Sequence, residues 1–377
     1  MIFIPPRCPR QTCPMFEDPQ GRWYVRNGYY LPLCRTQPVP RFICKRCGLG
    51  FSRQTFRADY YDKKPHVNPR LFELLSSGCG LRQSARLLHL TRRNLEMKFR
   101  KIAQHCVRLH YNLLDPIRGK CRVILFDELL TFEGRRNTRP VTVPIAIDHS
   151  TMFVLDARTA AAAPSGRMNR SRLAAIATEA KRAGPRRDRS SRAVAEVLAT
   201  VAKLCAGLDR VVLRSDEKPT YASLARVAFG TQRLDHQQFS SRLRRDAKNP
   251  LFRINLTNAM ARDNNGRLRR RSWLVSKRRR FLQMQLGIFA MYRNYVRVRF
   301  NSDVKQRAAS PAMRIGYEHG FFSSEDCVGW RQVFGRLSIH PLEVRTARAI
   351  QEVRWTTLTG ASSGCPHARG AASPGPI

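Results

Sequence analysis

Four cysteines near the start constrain this chain more than any other feature. They stand as Cys8-Pro-Arg-Gln-Thr-Cys13 and, after 30 residues, Cys44-Lys-Arg-Cys47. Each close pair makes a turn whose thiolates face one centre, and two such pairs suit one tetrahedral Zn2+ ion in a structural role. Between them, Trp23-Tyr24-Val25 and Tyr29-Tyr30-Leu31 read as strand pieces joined by a hairpin turn at Asn27-Gly28. Gly48 relieves the turn after the second pair, and Phe51 and Phe56 are expected to cover the metal, because so small a unit has little other core. Cys34, inside the module, reads as a spare ligand or, preferably, as a buried thiol. The remaining cysteines stand singly in apolar contexts, which fits reduced thiols in a cytoplasm rather than a disulfide framework.

Charge limits the partners. The 377 residues carry 69 Lys and Arg against 27 Asp and Glu, a formal charge of +42. A compact chain so charged repels itself unless a polyanion neutralises it. Nucleic acid leads, an anionic membrane surface is the rival, and arginine-favouring codons of a high-GC genome are the bland reading of part of the excess. The apolar fraction of 42% fits globular folding. No run of about 18 apolar residues is present, so no membrane span is expected. The opening Met1-Ile-Phe-Ile-Pro-Pro lacks the apolar core and cleavage site of a secretory signal.

Residues 1–60 form the expected metal module. Residues 66–112 read as three helices. Pro69 opens the first, which ends at Gly78 and Gly80. The second runs from Leu81 to Leu88. Thr91 caps the third through Leu95, Phe99 and Ile102. A short helix, a tight turn and a longer capped helix make a helix-turn-helix. Its third helix would expose Arg92, Arg93, Asn94, Lys98 and Arg100 to phosphates and purine edges of double-stranded DNA. The alternative is an ordinary three-helix unit with a solvated basic face.

Residues 119–300 alternate strand and helix. An apolar run from Cys121 to Phe126 ends at Asp127, Val141 to Ile147 alternates as a strand, and Asp148-His-Ser-Thr151 turns into Met152–Leu155. Residues 157–190 read as an exposed basic insertion. A helix over Val194–Leu204 follows, then a strand at Val211–Leu213 with Asp216 just past its end, then a helix from Tyr221. Residues 251–300 are helical and basic, with Arg269, Arg270 and Lys277 in the densest stretch. Residues 301–377 form a tail whose end, from Thr359, is rich in Gly, Ser, Ala and Pro and expected to be disordered. Two strand-end carboxylates brought together repel unless a cation joins them. Mg2+ or Mn2+ held by Asp127 and Asp216 would serve phosphodiester chemistry. One such Asp alone reads as a turn or helix cap.

Taken in order, Arg41-Phe-Ile-Cys44-Lys-Arg-Cys47-Gly48, the helices at 69–105, Phe126-Asp127-Glu128 and Ser215-Asp216-Glu217 resemble bacterial insertion-sequence transposases of the DDE type. The resemblance spans roughly residues 8–300. It implies three parts: a zinc ribbon, an all-α helix-turn-helix and an α/β RNase H-like domain, its mixed sheet flanked by helices. It also implies metal-dependent cleavage and strand transfer at element ends, by a homo-oligomer working at a bacterial nucleoid. Asn258-Ala-Met-Ala-Arg262-Asp263, Arg267-Leu-Arg-Arg270 and Ser276-Lys277 resemble the helix that carries the family's third acid. There the chain departs from the pattern: Asn255 and Asn258 are uncharged, and Asp263 is the nearest acid and the nominee. Two other readings remain, a DNA-binding protein or degenerate copy without catalysis, and an RNA-binding protein using the arginine-rich helix.

Overall fold

The structure, a computed structural model, describes residues 3–244, 246–269, 273–305, 308–317 and 320–330. They fall into two compact units, one up to Lys63 and one from Lys64 to Gly329.

The first unit has a one-turn helix, α1 (Pro14–Glu17), and a three-stranded antiparallel sheet of β1 (Tyr24–Tyr30), β2 (Val39–Cys44) and β3 (Gly50–Ser52) in that order. Asn27-Gly28 is not the expected hairpin turn. β1 runs straight through it, and its pairing with β2 slips between Arg26 and Tyr29. Gly28 adopts φ +65°, which absorbs the extra residue of this bulge at no steric cost. Cys34 is exposed rather than buried, and its thiol donates to the Asp62 carbonyl.

The second unit opens with three helices, α2 (Asn68–Ser76), α3 (Leu81–Leu87) and α4 (Arg92–Asn112). Thr91 caps α4 as its sequence predicts, accepting from the Asn94 amide. α4 runs ten residues past Ile102, because Ala103, Cys106 and Leu109 continue its buried stripe.

A six-stranded sheet follows. It is built from β4 (Val123–Phe132), β5 (Pro140–Asp148), β6 (Val154–Ala157), the two-residue β7 (Ala160–Ala161), β8 (Val211–Asp216) and β9 (Leu234–Phe239). The order is β6-β5-β4-β8-β9, with β7 also on β5. β4, β5 and β6 form an antiparallel meander, whereas β8 and β9 run parallel to β4. The domain is thus a mixed α/β arrangement, its sheet flanked by helices.

Helices α5 (Arg170–Ala183) and α6 (Ser190–Leu204) precede β8, α7 (Pro219–Phe229) follows it, and α8 (Phe252–Asn264) and α9 (Arg279–Met291) follow β9. The stretch expected as an exposed basic insertion holds β7 and the 14-residue α5. One face of the sheet, with Leu125, Leu129, Val143, Ile145 and Ile147, shares a buried core with Ile254 and Ala261 of α8 and Leu282, Leu286 and Phe289 of α9. Gly287 lets α9 lie tightly on α4, since a Cβ there would sit 2.2 Å from Val107 Cγ2. Two short helices, α10 (Pro311–Arg314) and α11 (Ser324–Gly329), close the described chain. The expected disordered end lies outside the described residues. Among the described residues no helix is long and apolar enough to cross a membrane.

Candidate functional site: a cysteine quartet and a carboxylate–amide cluster

Cys8, Cys13, Cys44 and Cys47 converge, their sulfurs all within 4.8 Å of one another. The Cys8–Cys47 and Cys13–Cys44 sulfurs lie 3.6 and 3.8 Å apart. A tetrahedron with Zn–S bonds of about 2.3 Å has edges of about 3.8 Å, so the quartet has the dimensions of a four-thiolate metal site. Its thiols are free, not disulfide-bonded. Burial pushes the Cys8 thiol up, while the amides of Arg10, Met15 and Leu49 point hydrogen bonds at Cys8, Cys13 and Cys47 that favour the thiolate. Gly48 turns with φ +67° and returns its N–H to Cys44 O at 2.9 Å. Trp23, Phe42, Phe51 and Phe56 share one buried cluster with the cysteines, and Trp23 stacks on Phe51 at 5.7 Å.

Asp127 and Asp216 come from neighbouring parallel strands. β4 and β8 pair Val123 with Val212, Ile124 with Leu213 and Leu125 with Arg214. The observed pairing ends there, and Asp127 and Asp216 each follow two residues later. Alternation puts both on the face of Leu125, which α8 covers. Asp127 is not a strand end, as the apolar run before it implied. β4 continues to Phe132 by pairing with β5 alone. It is β8 that ends here, at Asp216.

α8 adds the third group. Asn258 is 8% exposed on the buried stripe of Ile254 and Ala261, and its Nδ2 donates to Asp127 Oδ2 at 2.7 Å. Its Oδ1 is buried with no hydrogen-bond partner among the described residues. Asp263, the nominated third acid, does not reach this cluster. It is exposed, and lies five residues further on, about 140° round the helix. Asn258 belongs to the motif that marks α8 in the sequence. The signal that singles it out is a polar residue on an apolar stripe.

Asp216 sits half-buried. Burial first, then the charges of Glu128 and Glu217, hold its carboxyl above the usual range, against a hydrogen bond from the Lys218 amide. Glu128 faces the other side of the sheet, where Lys218 Nζ, Tyr221 OH (2.6 Å) and Thr142 Oγ1 (2.8 Å) bind it. Its oxygens are thus engaged in fixing the β8–α7 turn beneath Asp216. Among the described residues, the cysteine quartet is the one group of three or more His, Cys, Asp or Glu ligands close enough to share an ion.

The expected DNA-contacting residues divide. Arg92, Arg93 and Asn94 are exposed at the start of α4. Lys98 is not exposed with them. It is 7% exposed, and its ammonium donates to Lys64 O at 2.7 Å and Asn68 Oδ1 at 3.0 Å, tying α4 to α2. Its position is a helical turn from Leu95 and Ile102, on the side that packs. Arg269 and Lys277 are exposed, and Arg270 lies outside the described residues.

No family model matches the chain, and no curated protein does. Among solved structures, a match is the crystal structure of the Mos1 mariner paired end complex with Mn. It is 13% identical over 71% of this chain and 79% of that one, with a TM-score of 0.20. An overlap that loose carries no argument about this chain.

Proposed function

We propose that this protein is a DNA transposase of the DDE type in which an amide, Asn258, stands at the third acidic position. The observation that carries the reading is the convergence of two strand carboxylates with a helix-borne polar group. Asp127 and Asp216 each lie two residues past the last β4–β8 pair, Leu125–Arg214, and Asn258 reaches Asp127 from α8. Asp127 and Asp216 would hold Mg2+ or Mn2+, with Asn258 Oδ1 available as a neutral oxygen donor. All are hard oxygen ligands of the kind such ions take. A bound ion there would polarise a phosphodiester and activate a water or 3′ hydroxyl. The chain's own residues prepare the site. Lys218 and Tyr221 keep Glu128 away from the ion, and the Lys218 amide orients Asp216.

The DNA-binding parts complete the proposal. The quartet holds structural Zn2+ in a zinc ribbon. The helices α2 to α4 act as a helix-turn-helix whose Arg92, Arg93 and Asn94 meet double-stranded DNA. Arg269, Arg270 and Lys277 add phosphate contacts. The protein works as a homo-oligomer on paired element ends in a bacterial cytoplasm. The test is strand transfer by the full chain on DNA carrying the inverted repeats that flank its gene. Asp127→Asn should abolish transfer and leave DNA affinity within about twofold; transfer undiminished in that variant contradicts the proposal.

The second reading, a DNA-binding protein or degenerate copy without catalysis, draws on the same amide. Asn258 is uncharged, and as a donor it already satisfies an oxygen that an ion would claim. It predicts steeply salt-dependent DNA binding with no divalent-dependent nicking.

A further inference from the structure

Within the unit from Lys64 to Gly329, a cavity of about 300 Å3 opens beside β7, bounded by the β4–β5 connection, the end of α5, the segment leading to α6 and the start of α9. Five arginines are among its lining residues, Arg139, Arg186, Arg187, Arg189 and Arg279. Two are engaged. Arg139 pairs with Glu133 and Glu179 at 3.2 and 2.9 Å, and Arg186 pairs with Glu133 and donates to Pro140 O at 2.6 Å. Glu179 is also shared with Arg182. The guanidiniums of Arg187, Arg189 and Arg279 have no hydrogen-bond or ion-pair partner among the described residues.

The cavity is therefore a site of uncompensated positive charge. Burial, and then the charges of Arg186, Arg189 and Arg139, push the Arg279 guanidinium below its usual range against the pull of Glu133. A second feature points inward. Thr138 lines the cavity, is 4% exposed, and its hydroxyl is buried with no partner among the described residues. Like charges held together, beside an unsatisfied hydroxyl, are relieved by a compact anion that accepts several hydrogen bonds. Phosphate oxygens match guanidinium forks in a way that a monovalent halide does not.

We propose that this cavity is a phosphate-binding site in which Arg187, Arg189 and Arg279 supply the charge and Thr138 a hydroxyl donor. Its volume accommodates a phosphate with a linked second one. The phosphates come from a nucleic-acid backbone or from a free oligophosphate. Asp127, Asp216 and Asn258 are not among the lining residues, so the site stands whether or not the cation reading does.

Pyrophosphate is the probe, titrated into the zinc-loaded full chain at ionic strength held constant with NaCl. The expected result is a saturable rise in melting temperature, its midpoint weakened at least tenfold in the Arg187→Gln, Arg189→Gln double variant and in Thr138→Val. Both arginines are exposed, so the double variant keeps the fold. Pyrophosphate that displaces labelled duplex DNA, with a salt slope reduced by about two in the double variant, assigns the phosphates to DNA. Saturable binding without displacement assigns them to a free oligophosphate. An equal response of the wild type and the double variant, or none in the wild type, overturns the proposal.

Discussion

The Asn258 side chain donates to Asp127 across 2.7 Å while its own oxygen stays buried and unpaired. An unpaired buried carbonyl costs about 1–3 kcal/mol, a penalty that a ligand can relieve. If the amide turns over, Oδ1 faces the two carboxylates as a neutral third oxygen. On the proposed reading the site would then offer a divalent ion two negative charges and one neutral oxygen.

Asn258→Asp tests that difference. Adding a third carboxylate should destabilise the ion-free protein by about 1–3 kcal/mol, because like charges then crowd Asp127. Added Mg2+ should recover the loss, and divalent affinity should rise about tenfold or more. Thermal melts with and without Mg2+ read both effects.

Asp216 makes stability depend on pH. Its folded carboxyl holds a proton more tightly than the unfolded chain does. Stability is therefore lost as pH rises from the free aspartate value of about 3.9 through the raised folded value, and the full cost applies above it. Without divalent ion, Asp216→Asn should melt higher than wild type at pH 7, with the advantage shrinking toward pH 4. A constant gap across that range would show that the carboxyl is not perturbed.

Lys98 and the arginines before it should behave differently. Lys98→Met removes the ammonium that donates to Lys64 O and Asn68 Oδ1 and should cost about 1–3 kcal/mol of stability, with DNA affinity of the folded protein unchanged. Arg92→Ala with Arg93→Ala should leave stability alone, weaken DNA binding and reduce its salt slope by about one for each phosphate no longer neutralised. Denaturation curves and salt titrations separate the two outcomes.

These contrasts mark where sequence alone was informative. Helix α4, its Thr91 cap and the strands around Asp127 were legible, because apolar period and capping chemistry are local. Strand β9 was not: Leu234-Asp-His-Gln-Gln-Phe239 has little apolar alternation, and its place at the sheet edge comes from parallel pairing with β8. The extent of β4 past Asp127 was hidden for a similar reason, since the neighbour that ends is β8. Lys98 was misplaced because basic character stood in for exposure, whereas its ammonium meets two buried-side oxygens. Charge alone points to Asp263, but Asp263 is exposed, and it is Asn258 that hydrogen-bonds Asp127.

The cysteine quartet should behave as a folding element of its module. The zinc-loaded protein should contain one Zn2+ per chain by atomic absorption, and Cys44→Ser should lose most of it. Removal of the metal by a chelator should change the fluorescence of Trp23, which stacks on Phe51 in the same buried cluster. Full zinc retention in the variant would argue against a four-thiolate site.

The most direct measurement is Mn2+ binding to the zinc-loaded full chain, followed by electron paramagnetic resonance. The account predicts a saturable site in the wild type, with affinity at least tenfold weaker in Asp127→Asn and in Asp216→Asn. Equal Mn2+ affinity in the wild type and both variants would contradict it.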